Sequence, residues 1–200
     1  DRPVLVYFEE MAAPTYRPAS EAAGTILGRA RIEVIDSTFM SSAMGAIVVE
    51  AARAAREGAD GPEVVRLVRG LVPHTYLAFF VDNVGVLKRS GALKYSEQPL
   101  PAAGSGKPLF VMEDGIITPQ FRMRNKGSAV ERLVEFVGEF LILKRLVVWH
   151  SGLVPELKEF KDLLGESLQV QNPPEHIYGP SVSALLGPKA LGVVVVEGEA

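Results

Sequence analysis

Arg122 and Arg124 stand two positions apart, with Lys126 two further on, after an apolar run closed by a turn. In an extended chain alternate residues share a face, so the cations would form a row. Arginine offers paired N–H donors, and such a row could hold a carboxylate or phosphate. A solvated strand edge, where charge discourages edge pairing, gives the same pattern. Gly104-Ser105-Gly106-Lys107 has some look of a phosphate loop. Pro101 and Pro108 occupy the places of that loop's first glycine and trailing hydroxyl residue, which favours a flexible linker. His74, His150 and His176 are widely separated and lack the clustered ligands a metal needs. His150-Ser151 closes a strand-like run, where α/β proteins place ligands; the alternative is a hydrogen-bonded loop histidine. Cysteine is absent, and so is Gly-x-Ser-x-Gly, which removes thiolate chemistry and the nucleophile elbow.

These residues need elements to position them. Two hundred residues, 48% hydrophobic and 22% charged, suit one domain or two small ones of an ordinary globular kind. The net charge of −3 provides no basic field for nucleic acid or anionic lipid. The longest apolar runs, such as Val193–Val196, fall far short of the ~20 residues that span a bilayer. Without a secretory leader pattern the expected location is cytoplasmic, and a start at Asp1 suggests a piece of a longer chain.

Val4–Phe8 and Ile32–Ile35 read as strands around an Ala-rich helix, Thr15 to Leu27. Ser41 and Ser42 can cap a helix with Met44, Ile47, Val48, Ala51, Ala52 and Ala55 as its inner stripe, ended by Gly58. Asp60-Gly61-Pro62 opens another, with Val64, Val65, Leu67, Val68 and Leu71 inward. After a break near Val72-Pro73, a strand at Tyr76–Val81 precedes a short helix around Val84–Arg89 and an irregular segment from Lys94 to Lys107. Leu109–Met112 and Ile116–Thr118 flank an Asp114-Gly115 hairpin turn. The pattern then predicts a helix from Ser128 to about Leu143 (inner stripe Leu133, Phe136, Val137, Phe140, Leu141) and a strand at Leu146–Trp149. A helix at Pro155–Leu164, a strand at Leu168–Gln171, a helix around Ser181–Leu186 and a strand at Leu191–Val196 complete the chain. The fold class is α/β, with subdomains at 1–72 and 73–200.

Several colinear segments resemble the DegV family of bacterial fatty-acid-binding proteins. Ile35 to Gly45 is similar to the family's strand ending in Asp-Ser and its Ser-rich helix start. Val84 to Leu93 resembles Leu-x-x-Leu-Lys-x-Gly-Gly-Arg-Ile. Lys107-Pro108-Leu109-Phe110, Glu113-Asp114-Gly115 and Arg122-Met123-Arg124-Asn125 follow the family order, and Ala184 to Gly192 lies where Ser-His-x-Gly-Pro-Gly-x-x-Gly is found. The resemblance implies two packed α/β subdomains, the first a partial open parallel sheet and the second a mixed sheet with helices. It implies a long-chain fatty acid held non-covalently in a buried apolar channel and presented to a separate kinase. The chain would be a non-catalytic carrier subunit with no cofactor or metal, the fatty acid being its ligand. Carried over residue by residue, the lipid contacts fall to Thr15, Ser37, Arg122 and Arg124. The family's front portion would precede Asp1.

This chain also departs from the pattern. Glu9-Glu10-Met11-Ala12-Ala13-Pro14-Thr15 replaces a hydroxyl-rich carboxylate turn, and only Thr15 survives of it. Ala92, Leu185 and Lys189 stand where the family has Arg, His and Gly. Negative charge at Glu9 and Glu10 would oppose a ligand carboxylate. A scaffold or regulatory protein that keeps the fold without fatty-acid delivery is therefore the alternative. A third reading, an enzyme on a small polar substrate, rests only on the distantly related dihydroxyacetone kinase fold.

Overall fold

A computed structural model describes residues 4–8, 15–26, 32–93, 107–120, 128–152 and 154–198. The chain divides into two compact units, Asp1–Thr75 with Glu113–Gly115, and Tyr76–Met112 with Ile116–Ala200.

The first unit is built on two parallel strands, β1 (Val4–Phe8) and β2 (Ile32–Asp36), paired from Val4 with Ile32 to Phe8 with Asp36. Between them in the chain lies α1 (Tyr16–Thr25). α2 (Ser41–Glu57) stops at Gly58, whose φ of 105° is a conformation glycine adopts without a Cβ penalty. Its other end departs from expectation. The N-cap is Met40 rather than a serine, and its side chain makes no capping hydrogen bond. The buried face is Ser42, Ala43, Ala46, Ile47, Glu50 and Ala51, rotated by about a residue, so Ala52 and Ala55 are exposed. Glu50 is only 4% exposed and is ion-paired to Arg53, which lets a carboxylate sit on a buried stripe. α3 (Gly61–Leu71) begins with a reciprocal cap. Asp60 Oδ1 accepts from the Glu63 amide and Glu63 Oε2 accepts from the Asp60 amide, both at 2.8 Å. Val64, Val68 and Leu71 form its buried side.

In the second unit, β3 (Thr75–Val81), β4 (Leu109–Glu113), β5 (Ile116–Gln120), β6 (Leu143–His150), β7 (Glu175–Ile177) and β8 (Ala190–Glu197) form a mixed sheet in the order β5-β4-β3-β8-β6-β7. β4 runs antiparallel to β3 and β6 antiparallel to β8, while β7 is parallel to β6. Asp114 at φ 48° and Gly115 at φ 76° make the turn between β4 and β5, as Asp-Gly predicts. The helices are α4 (Val84–Ser90), α5 (Ala129–Gly138), α6 (Leu157–Leu168) and α7 (Pro180–Leu186). β8 is buried along Ala190–Val196, so it reads as a continuous apolar run. At Gly192 an added Cβ would lie 2.4 Å from the Ala78 carbonyl oxygen, so only glycine lets these strands approach.

Period-2 alternation splits the sheet's side chains. Ala78, Phe80, Leu109, Val111, Leu146, Val148, Val193 and Val195 join α5 and α6 residues such as Leu133, Val137, Phe160 and Leu164 in one core cluster. Phe79, Phe110, Trp149 and Tyr178 form a separate aromatic chain with centroid spacings of 5.7, 5.9 and 4.8 Å. Each fully buried side chain of this size stabilises by roughly 1.5–3 kcal/mol.

Two expectations fail here. α5 ends at Gly138, not near Leu143, and Leu141 is 96% exposed rather than inward. No strand runs from Leu168 to Gln171, because Leu168 closes α6 and Gln169 turns left-handed at φ 56°. The strand comes later, as β7, whose three residues are all exposed. At the sheet's opposite margin β5 contains the buried Pro119.

Candidate functional site

The loop from β2 into α2 is locally costly. Asp36 Oδ1 accepts from the Thr38 amide at 2.8 Å, an Asx-type turn. The fully buried Ser37 hydroxyl donates to the Phe39 carbonyl at 3.2 Å and accepts from the Phe39 amide at 3.4 Å. This fixing places Thr38 at φ 57° and is followed by Ser41 at φ 53°. A β-branched residue in the left-handed region is strained, and such strain gathers at ligand sites. The Thr38 Oγ1 is buried and has no hydrogen-bond partner among the described residues.

Directly after it comes the start of α2, with no acidic side chain in the first turn. The first amides of a helix lack intrahelical partners, and the macrodipole makes that end positive. A buried hydroxyl without a partner among the described residues, close to a helix N-terminus, is chemistry suited to a carboxylate or phosphate oxygen.

The sequence-predicted residues fare differently. Ser37 is in this loop, but its hydroxyl is engaged by Phe39 on both counts, so it shapes the turn that presents Thr38. Thr15 is exposed, stands just before α1 and accepts from the Ala19 amide through its carbonyl at 3.1 Å. Because β1 and β2 are parallel and α1 lies between them in the chain, Thr15 and Ser37 belong to the carboxyl end of that sheet, the usual ligand side. Arg122, Arg124 and Lys126 lie outside the described residues, as do Glu9, Glu10 and Gly104-Ser105-Gly106. Thr38 escaped sequence reasoning, although a β-branched residue after Asp-Ser at a strand-to-helix turn was a usable signal.

In the second unit several polar groups are tied to one another, although Glu135 Oε2 and Glu156 Oε2 are buried without a hydrogen-bond partner among the described residues. Lys107 Nζ lies 2.6 Å from Glu156 Oε1 and 3.1 Å from Asp82 Oδ1, which rules out its use as a free phosphate-loop lysine. Burial alone would lower the Lys107 pKa, but hydrogen bonds to Glu156 and Asp82 and their charges raise it overall. Asp82 is held below its ordinary range by the Lys107 hydrogen bond and charge. Burial pushes Glu156 up, yet the Lys107 bond, a backbone bond and the Lys107 charge leave it lowered.

His150, 3% exposed, accepts from the Gly152 amide at Nδ1 (2.9 Å), so Nε2 carries the proton and faces Glu175 Oε2 at 3.2 Å. Glu175 Oε1 in turn meets Lys161 Nζ at 2.5 Å, and this bond is the main reason its pKa is lowered. Both ring nitrogens are committed, so His150 is a hydrogen-bonded loop histidine without a spare base position. The Tyr178 hydroxyl donates to the Gly187 carbonyl at 3.1 Å and accepts from the Ala190 amide at 2.9 Å; burial raises its pKa. Among the described residues, no group of three or more His, Cys, Asp or Glu could hold a metal ion, and no helix is long and apolar enough to cross a membrane.

With this geometry in hand, the comparisons are informative. The chain is similar to a DegV domain-containing protein of Staphylococcus aureus, at 22% identity over 197 residues, 97% of this chain and 70% of the relative. Its fold is similar to the crystal structure of a fatty acid binding DegV family protein from Streptococcus agalactiae, with a TM-score of 0.82 and 18% identity, covering 99% of this chain and 71% of that one. It is similar also to DegV, a fatty acid binding protein from Bacillus subtilis, with a TM-score of 0.80 and 20% identity over 98% of this chain and 71% of that one. The model of a family described as uncharacterised DegV proteins matches residues 3–198. A match over that span means that the chain belongs to the DegV family.

Proposed function

We propose that this chain binds a long-chain fatty acid non-covalently in a buried apolar channel and presents it to a separate kinase, without being a catalyst itself. What carries the reading is kinship: the chain belongs to a family in which two solved proteins of the same fold are named for fatty-acid binding. The β2–α2 loop supports it with head-group chemistry, since the buried Thr38 hydroxyl, without a partner among the described residues, is a donor that a carboxylate would fill near the start of α2. A tail buried away from water gains ~0.8 kcal/mol per CH₂, enough to hold it while the head group sets orientation. Thr15, Ser37, Arg122 and Arg124 remain the proposed lipid contacts, with Thr38 added. The proposed subdomains are 1–72 and 73–200, and the proposed location is cytoplasmic.

Native extraction followed by mass spectrometry tests this directly. A fatty acid is expected to copurify; protein that carries none and binds neither oleate nor palmitate would overturn the reading. Thr38→Val, which keeps shape and removes the hydroxyl, should weaken oleate binding about tenfold. A second reading is favoured by one observation. Ala92 follows α4 and Leu185 lies on α7, two helices that pack together, and both are apolar where the family places Arg and His. That would leave a regulatory protein with the fold and no delivery role. Acyl phosphate formed in a kinase-coupled assay with this subunit would eliminate it.

A further inference from the structure

A groove of about 720 Å³ runs between α5 and α6, and its lining includes the acidic Glu131, Glu135 and Glu139, the apolar Val134, Leu163 and Leu168, and Gly138 and Ser167. Glu131, Glu135 and Glu139 recur every four residues along α5, one per turn and ~6 Å apart in rise. Among the described residues the lining contains no lysine, arginine or histidine to neutralise them.

Three further observations make the groove electronegative beyond its carboxylates. A Cβ placed on Gly138 would lie 3.3 Å from Leu168 Cδ2, so the carboxyl ends of α5 and α6 meet at one end of the groove. Both macrodipoles therefore turn their negative ends there. Neither helix has a basic residue in its last turn, and Glu135 and Glu139 sit at the end of α5 where a negative charge opposes the dipole. The Glu135 Oε2 is also buried without a hydrogen-bond partner among the described residues. Glu135 and Glu139 are therefore unfavourable for α5 taken alone, whereas Glu131 at the other end caps the helix by accepting from the Ser128 amide at 2.6 Å; a cationic partner reverses the sign of the two unfavourable terms.

We infer that the α5–α6 groove docks a basic amphipathic helix of a partner protein, with Lys or Arg side chains spaced one turn apart facing Glu131, Glu135 and Glu139 and apolar side chains resting on Val134, Leu163 and Leu168. A helix fits because it repeats cations at the period of the carboxylates and presents apolar residues beside them. The inference does not depend on fatty-acid binding.

The test uses the full chain and a synthetic amphipathic helical peptide with lysine at every fourth position, followed by fluorescence anisotropy. A peptide of the same pattern with glutamate serves as comparison. Binding of the lysine peptide in the range of ~10–100 μM is expected, weakening with salt. Ser167→Trp fills the groove without changing net charge and should weaken binding about tenfold. Glu135→Gln with Glu139→Gln should weaken it about as much and flatten the salt dependence. Ser167→Lys, which supplies an internal ammonium, should mimic the double variant, and circular dichroism of each variant checks that it folds. Binding that is unchanged by Ser167→Trp, equal for the glutamate peptide, or fully displaced by spermine at equal charge would overturn the inference. So would a concentration-dependent dimer that Ser167→Trp abolishes, since a second copy would then be the occupant.

Discussion

The second unit's sheet and the β2–α2 loop of the first differ in how far their polar groups are tied to neighbours, although Glu156 Oε2 beside the sheet also lacks a partner among the described residues. Around the sheet, Lys107 meets two carboxylates, His150 commits both ring nitrogens, and Tyr178 both donates and accepts. In the loop, Thr38 holds a strained backbone, and its buried hydroxyl has no partner among the described residues. Satisfied groups stabilise a fold; unsatisfied ones are tolerated where a ligand completes them. The strained backbone together with the open hydroxyl is what supports the proposed placement of the head group at the loop.

The strongest way to break this contrast is at Gly192. Gly192→Ala should destabilise the protein by about 3 kcal/mol, read by urea unfolding, because the new methyl would meet the Ala78 carbonyl. Lys107→Met comes next. It leaves the half-buried Glu156 without its partner and should cost ~1–2 kcal/mol, discounted for the exposure of the cluster. Oleate affinity should stay as it was in both variants wherever the fold survives; a loss with Lys107→Met would blur the distinction between the regions.

Acid and base titrations sharpen the same point. Asp82, Glu156 and Glu175 are lowered in the folded protein, so their contribution is present above the ordinary value of 4.5 for a glutamate and is lost as pH falls through the lower folded values. Lys107 is raised from 10.5, so its contribution is present below that value and fades as pH climbs past its folded pKa. Thermal melts should therefore be flat near neutral pH and fall at both extremes, with the alkaline fall reduced in Lys107→Met. The smallest expected effect has the opposite sign. Thr38→Gly should raise stability by about 1 kcal/mol by releasing the left-handed strain while weakening oleate binding. A variant that loses stability and keeps its affinity would assign Thr38 to the architecture instead.

Much of the scaffold was readable because local chemistry and global fold agree. Asp60 and Ser128 each cap a helix through a glutamate three residues on, and Asp114-Gly115 turns the hairpin. Misreadings occur where an apolar pattern continues past the end of an element. Leu141 extends the helical period of α5, but the helix has already stopped at Gly138, leaving that leucine 96% exposed. Leu168 and Val170 look like a strand, whereas Gln169 reverses the chain after α6. On α2 the alanines are too uniform to reveal which face turns inward, so Glu50 on the buried side was invisible. The site was legible only in outline. Asp36-Ser37 marks the turn, but the left-handed backbone at Thr38 comes from hydrogen bonds that no periodicity encodes.

The margins of the six-stranded sheet have a consequence for how the molecule behaves in a crowd. A neighbouring chain seeking to continue the ladder finds three residues on one side, flanked by the Glu175–Lys161 pair, and on the other a strand in which Pro119 has no amide to donate. Template-driven fibre growth needs a long run of open donors and acceptors, and both borders of this sheet withhold one.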